Sequence, residues 1–318
     1  MYRLTAKIEI TGAKSWLIDK VTEVEITRDT EKLTDECRLT LPKKIKWDGT
    51  AEIPVQRGDA VKVWLGYNDD LQLAFMGYVR DVGFKTPVVI TCENEMFKLK
   101  QMPAQKKAYK NVTIETLLQE QGISYDIKVM GEQNLGQYRV TADTVAALLG
   151  HLHENGIRSF FRYEEGAPVL YCGVLFERES RPTQVFATGV NIIDDQNLEQ
   201  QKAENMRLRI KAISLMPDNK KIKVEVGDAD GEHRTLHTYN KSESELRAWA
   251  EQEIKRLKRD GLTGSFTTFG YRLVDKLDAV GIKIDGKKKG VYQVRKNVIK
   301  YGTGGFRQEI TLGQRVAE

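Results

Sequence analysis

The chain has 318 residues, with 50 Lys and Arg against 45 Asp and Glu for a formal charge of +5, and is 40% hydrophobic and 30% charged. This is too apolar for a disordered chain and too polar for a membrane protein, and no apolar run approaches the roughly 18 residues of a membrane helix. Cys37, Cys92 and Cys172 lie in strand-like runs and cannot all pair, which argues against a disulfide scaffold; Met1-Tyr2-Arg3 enters an alternating pattern without a signal-peptide core. The chain therefore reads as a soluble, folded product of the cytoplasm.

The first hundred residues carry the period of half-buried strands. Leu4, Ala6, Ile8 and Ile10 alternate with Thr5, Lys7 and Glu9. Val24 and Ile26 continue the theme, as do Cys37, Leu39 and Leu41, then Val61, Val63 and Leu65. After the polar tip Asn68-Asp69-Asp70, a strand runs through Leu71, Leu73 and Phe75 to about Arg80, and Val88 to Cys92 closes the set. Short strands separated by turn residues suggest a small barrel or sandwich.

From about residue 99 the period changes to helical. Ile114, Leu117 and Leu118 form one stripe, ended by Gly122; Val145, Leu148, Leu149 and Leu152 form another, ended by Asn155-Gly156. Val112-Thr113 and Val140-Thr141 stand at matching places before the two stripes, so Thr113 and Thr141 are expected as N-caps with the preceding valine as a staple. Gly-Ile and a strand follow each helix, and Glu164-Glu165-Gly166 turns the second strand back. This stretch reads as a small α+β domain with a duplicated helix–strand unit.

A polar stretch from Asp194 to Glu204 leads to a second β-rich region through Met206 to Ala212, Ile222 to Val226 and a strand ending near Tyr239. One helix interrupts it. Ser242 and Glu245 make a capping box, Leu246, Trp249, Ala250, Ile254 and Leu257 form the stripe, and Gly261 is expected to end it. Strands resume at Ser265–Phe269, Val280–Ile284, Val291–Tyr301 and Gln308–Leu312. The two β regions echo each other. Asp59-Ala60-Val61-Lys62-Val63 parallels Asp278-Ala279-Val280-Gly281-Ile282, and Gly77-Tyr78-Val79-Arg80 parallels Gly290 to Arg295. Ile90-Thr91 then parallels Ile310-Thr311.

Candidate chemistry is sparse. His151 and His153 point to different faces of a helix, and His233 and His237 lie on a strand where four residues span roughly 13 Å. Asp228-Ala229-Asp230-Gly231 reads as a hairpin turn because the twelve-residue calcium pattern is absent. Gly302-Thr303-Gly304-Gly305 joins two strands and opens no helix for a phosphate, and Arg57-Gly58-Asp59 is a turn feeding a strand. The carboxylate pairs Glu164-Glu165 and Asp194-Asp195 sit in solvated turns. Charges of both signs are interleaved. The basic group Lys255 to Arg259 ends a helix, and Lys287-Lys288-Lys289 flanks the hairpin tip Asp285-Gly286. No catalytic, cofactor-binding or metal residue is assigned, no cofactor is expected, and specific nucleic-acid binding is not expected. A site assembled only in three dimensions leaves no mark here.

The run Val55-Gln56-Arg57-Gly58-Asp59-Ala60-Val61-Lys62-Val63, followed by Phe75-Met76-Gly77-Tyr78-Val79, carries a resemblance. So do the Val-Thr helix starts with Gly-Ile exits, the late capped helix, and the ending Gly290-Val-Tyr-Gln-Val to Ile310-Thr-Leu-Gly313. Their order resembles the baseplate hub proteins of contractile-tailed phages and the hub region of type VI secretion spike proteins, over nearly the whole chain. Leu277-Asp278 departs from the family's Gly-Asp at the second β region. The resemblance implies a mainly β, α+β fold. Two tail-tube-like β-barrels, residues 1–98 and 186–318, would flank an α+β domain at 99–185, with the helix 242–260 inserted in the second barrel.

It further implies a homotrimeric hub of pseudo-six-fold symmetry that joins the tail tube protein to the central spike protein, with no membrane partner. The place implied is the virion tail baseplate, after synthesis in the bacterial host cytoplasm. With no β-helix repeat up to residue 318, the spike is expected on a separate chain. From the residues alone, a tail-associated cell-wall hydrolase and a carbohydrate- or nucleic-acid-binding β module stay open as alternatives.

Overall fold

The computed structural model describes residues 3–43, 53–83, 85–131, 134–174, 182, 184–216, 218 and 220–317. Met1 and Tyr2, and part of the boundary expected at 180–185, lie outside the described residues. The fold is mainly β with a few helices. Strands β1 (Leu4–Thr11), β2 (Ser15–Ile18), β3 (Glu23–Asp29) and β4 (Glu36–Thr40) come first. They are followed by β5 (Ala60–Tyr67), β6 (Asp70–Val82), β7 (Val89–Glu93) and the one-turn helix α1 (Met96–Leu99). Next are β8 (Ala108–Thr113), α2 (Ile114–Gln119), β9 (Asp126–Met130), β10 (Asn134–Arg139), α3 (Val145–Glu154), β11 (Arg158–Glu164) and β12 (Ala167–Gly173). Short strands β13 (Gln184–Ala187), β14 (Ile192–Asp194) and β15 (Leu198–Gln201) precede β16 (Leu208–Leu215), β17 (Lys221–Gly227) and β18 (Glu232–Tyr239). The chain ends with α4 (Glu243–Leu257), β19 (Gly261–Phe269), β20 (Ala279–Ile284), β21 (Lys287–Gly302) and β22 (Gly305–Ala317).

The chain divides into two compact units: Met1–Lys98, Arg178–Leu198 and Gly264–Glu318 in one, Leu99–Glu177 and Glu199–Thr263 in the other. The first unit is built on a sheet whose path runs β14-β19-β22-β21-β3-β4-β7-β6-β5-β1-β2, with β20 pairing β21 and β13 pairing β20. Its alternation follows the sequence: Ala6, Ile8 and Ile10 of β1 are buried, as are Val61, Val63 and Leu65 of β5. These residues share one apolar core with Ile299, Tyr301 and Phe306 from the far end of the chain.

Two six-strand modules are visible in that path. The order β3-β4-β7-β6-β5-β1 in the first is matched by β14-β19-β22-β21-β20-β13 in the second, and the matched strands also follow each other in the same chain order. Even the irregularities coincide. A bulge falls between Val63 and Trp64 against β6, and another between Ile282 and Lys283 against β21. A second pair leaves Arg80 unpaired between Val79 and Asp81, and Arg295 unpaired between Val294 and Lys296. Both leading hairpins turn on two residues with positive φ, Asn68-Asp69 and Asp285-Gly286, the backbone of a type I′ turn. Bulges re-aim strands and alter twist, so a shared pattern is a stronger sign of likeness than shared strand number. The modules differ at β1, which runs antiparallel to β5 where β13 runs parallel to β20.

The departure at Leu277 resolves at the backbone. Gly58 and Leu277 both adopt positive φ, +95° and +66°, and their amides donate to Val79 O and Val294 O at 2.8 and 2.9 Å. Asp59 and Asp278 each accept the amide three residues back, from Gln56 and Asp275, at 2.8 Å. The turn is conserved in shape while its left-handed residue has become a buried leucine. Left-handed backbone at a non-glycine residue costs about 1–3 kcal/mol, here offset by burial of the side chain.

In the second unit β8 pairs β10, β11-β12-β9 form a three-stranded sheet, and β17-β16-β18 form another. Helix α4 covers the last of these with Leu246 and Ala250, against Ile210, Ala212 and Val224. Its capping box is present, the Ser242 amide donating to Glu245 at 2.8 Å. Its end differs from expectation. The helix stops at Leu257, where Lys258 leaves helical geometry and its ammonium reaches Asp228 at 2.6 Å; Gly261 already opens β19.

Helix α2 is capped by Thr113, whose hydroxyl accepts from Thr116 N at 3.2 Å. For α3 the expected cap is corrected: Thr144, not Thr141, takes the amide of Ala147 at 3.2 Å. Residues 140–145 are tied instead to the preceding chain. Val140 N donates to Lys107 O, Ala104 N to Asp143 O, and Val145 N to Met102 O. Each helix still leaves through a positive-φ glycine, Gly122 or Gly156, toward a strand of the same sheet. At Gly156 a Cβ would lie 2.4 Å from that of His237, so this close approach requires glycine.

Thr144→Ala is expected to lower stability by about 1 kcal/mol and Thr141→Ala by less than about 0.5 kcal/mol, measured by chemical denaturation. His237 is half-buried, and burial first, then Lys221 and Arg158, lower its pKa. The unfolded chain, with a histidine pKa of about 6.5, then binds the proton more readily. The stability this group contributes is complete above that value and is lost as the pH falls from there through the lowered folded pKa. His237→Gln should flatten the decline in melting temperature between about pH 7 and 5.

Candidate functional site

The residues singled out in the sequence are scattered. His151 and His153 occupy the last turn of α3, while His233 and His237 lie on β18 opposite Arg209 and Ile213. Among the described residues no group of three or more His, Cys, Asp or Glu side chains could hold a metal ion. Cys37 and Cys92 face each other across β4 and β7, and all three cysteines are buried free thiols. Burial pushes all three thiols up, Cys172 to about 12, which suppresses the nucleophilic thiolate.

The remaining motifs are occupied locally. Asp228 accepts from Leu208 N at 3.1 Å and from Lys258, whose ammonium holds its carboxyl below the usual range; Asp230 pairs with Arg207. Glu164 binds Lys128 and Tyr171, and Glu165-Gly166 forms the tip between β11 and β12. Gly302-Thr303-Gly304-Gly305 is the turn joining β21 to β22. Asp194 and Asp195 are exposed.

The polar constellation the structure does assemble lies at the seam between the two strand modules of the first unit. There β3 pairs antiparallel with the second half of β21, from Glu23↔Gly302 to Asp29↔Lys296. Beside it Lys276 is fully buried, its ammonium 2.7 and 2.8 Å from the two oxygens of Asp35, 241 residues away in sequence. Arg28 lies 3.4 Å from Asp275 and donates to Ala74 O. Asn297 donates to Val274 O at 2.8 Å and to Gln308 at 3.1 Å, and Gln308 in turn donates to Phe269 O and Arg272 O. Tyr67 donates to Phe306 O at 3.1 Å, and Gln72 accepts from Leu273 N at 3.0 Å.

Burial pushes the Asp35 carboxyl up, and the adjacent Lys276 ammonium pulls it back. The two buried charges satisfy each other and brace the seam. Sequence reading passed over both residues, because a single Lys in a turn and a single Asp before a strand carry no spacing that links them. The one available signal is positional: Lys276 stands in the repeated turn where the first module has Arg57.

A groove of about 880 Å³ opens near the seam, with Tyr67, Gln72, Phe269, Tyr271 and Arg307 among its walls. The Arg307 guanidinium lies 4.9 Å from the centre of the exposed Phe269 ring. The groove thus offers flat aromatic faces beside a cation, while its amide Gln72 is already engaged.

No family model matches the sequence. No curated protein matches it either. Solved structures do. The chain is similar to the 43 kDa tail protein of prophage MuSo2 from Shewanella oneidensis, with a TM-score of 0.62 and 16% identity over 99% of this chain and 97% of that one. It is also similar to the tail protein from Neisseria meningitidis MC58, with a TM-score of 0.64 and 15% identity over 100% and 97%. An Escherichia coli component of the type VI secretion system, itself structurally similar to T4 bacteriophage tail proteins, matches with a TM-score of 0.56 and 10% identity over 97% and 77%. At such identities the likeness is one of fold, and it extends along essentially the whole chain.

Removing one partner of the seam pair should be far worse than removing both. Lys276→Met is expected to destabilise by about 3–5 kcal/mol, because it strands a buried carboxylate, and the double variant Asp35→Leu/Lys276→Met to recover most of that loss. Chemical denaturation of the three proteins measures both values.

Proposed function

We propose, from the fold shared with phage tail proteins, that this chain is a structural component of a phage or prophage-derived tail baseplate: a trimeric hub joining the tail tube to the central spike. The observation that carries the reading is the pair of strand modules with matching strand order and matching bulges. Two alike modules per chain allow three copies to offer six similar surfaces, so a three-fold particle can adapt to a six-fold tube. In this reading the modules form the tail-tube-like barrels expected at 1–98 and 186–318, the second starting two residues earlier with β13. The α+β domain at 99–185 and the helix 242–260 are the remaining parts of the chain in this reading.

The work is done by extended surfaces, which agrees with the way the buried ionisable groups at the seam satisfy one another. The partners are two further copies, a tail tube protein and a central spike protein, and the place of action is the virion tail baseplate. No catalytic step is assigned. The similar E. coli protein is a component of the type VI secretion system, and the reading extends to a hub in a system of that kind.

Light scattering and particle imaging of the purified chain should give a trimer with three-fold symmetry and a central channel. A stable monomer at tens of micromolar would count against the hub. Turnover of peptidoglycan by the purified chain would favour a tail-associated hydrolase instead.

A further inference from the structure

We infer that the turn Gln56–Asp59, with Arg57 at its tip, docks on a second copy of this chain at the open edge of β14. The inference rests on the trimeric hub proposed above and specifies which surfaces meet.

The argument starts from the contact already made within one chain. There the turn Asp275–Asp278 of the second module meets the first module, Lys276 reaching Asp35 and Asp275 reaching Arg28, while β21 lies along the outer edge of β3. The first module owns the same turn, with the same amide-to-aspartate bond and the same positive-φ position. Arg57 stands where Lys276 stands. Its side chain, however, is 65% exposed, 3.8 Å from Asp81 and in hydrogen-bond reach of Arg80 O, all within its own module.

The receiving surface is defined by the same correspondence. β14 occupies in the second module the place β3 occupies in the first. The outer edge of β3 is covered by β21. Among the described residues no named strand pairs with the outer edge of β14; its start is held by the bridge from Thr188 to Ile192 and by Asn191, which accepts from Ala187 N and donates to Val185 O, and the edge is open beyond Ile192. Val190 and Ile193, 77% and 44% exposed, lie at this edge, and Asp194, which accepts from Gln196 N through one carboxylate oxygen, and Asp195 are exposed beside them. An uncovered edge with exposed apolar side chains is a template for another strand, and the two carboxylates complement the Arg57 cation. Because turn and edge are different surfaces of one chain, each copy can give one and receive the other, the heterologous contact a closed ring requires.

The correspondence also sets a difference in strength. The part of β21 that pairs with β3 runs to Gly302, whereas β6 ends at Val82. The contact between copies therefore has a shorter ladder than the seam within a chain, and copies should separate before the modules of one chain do.

The test uses full-length protein and measures mass by light scattering over a dilution series. Arg57→Glu should raise the concentration at which trimers dissociate by at least about tenfold, and Asp194→Arg/Asp195→Arg should do the same. Both surfaces lie on every chain, so the combined variant should restore assembly. Unchanged far-ultraviolet dichroism in each variant shows that assembly and not folding is read, and the two variants test opposite sides of one contact. Trimers of wild-type strength in both single-surface variants would overturn this docking surface and leave the hub intact. A wild-type chain that never assembles would overturn both.

Discussion

The first unit depends on how one long strand divides its free edge. β22 runs along one side of β21, and the other side is shared, with β20 taking the first half and β3 the second. That shared edge turns two strand modules into one hydrogen-bonded sheet and brings Ile299, Tyr301 and Phe306 into the core of the N-terminal strands. Backbone ladders alone tolerate a slip of two residues, since the same faces stay buried. The Lys276–Asp35 pair and the Asn297–Gln308 network admit one alignment, because any other leaves buried charges and amides unmatched.

Around that seam the two modules show how a repeated architecture can outlast its sequence. Few side chains coincide, yet both bulges and the hairpin and turn geometries recur. A bulge is set by hydrogen-bond pattern and twist, which many side chains satisfy, so backbone likeness persists where residue identity does not. Residues 99–177 enter after the first module and residues 199–263 between β14 and β19 of the second. Both insertions leave the paired strands of the modules in place, and extra length between them adds little entropic cost.

The distribution of polar groups fits a protein that works by its surfaces. At the seam Lys276 and Asp35 neutralise each other, the three thiols are buried, and the Asp228–Asp230 turn is closed by lysine and arginine partners. What stays available is sheet edge, aromatic groove and mixed surface charge. Sheet edges, aromatic faces and mixed charge are means of association.

Neighbouring residues settle the local elements: the two-residue alternation of β1 and β5, the stripe and capping box of α4, the Asp285-Gly286 hairpin and the glycine exits of α2 and α3. Each is decided by residues a few positions apart, so the signal is present in a short window. Short strands such as β2 and β13 to β15 carry too few alternations to be read that way. The joining of β3 to β21, the cap of α3 at Thr144 and the meeting of Lys276 with Asp35 are settled in the folded chain. Those outcomes follow from chain segments far apart in sequence competing for the same hydrogen-bonding edge and the same buried space, and such competition has no local spacing to betray it.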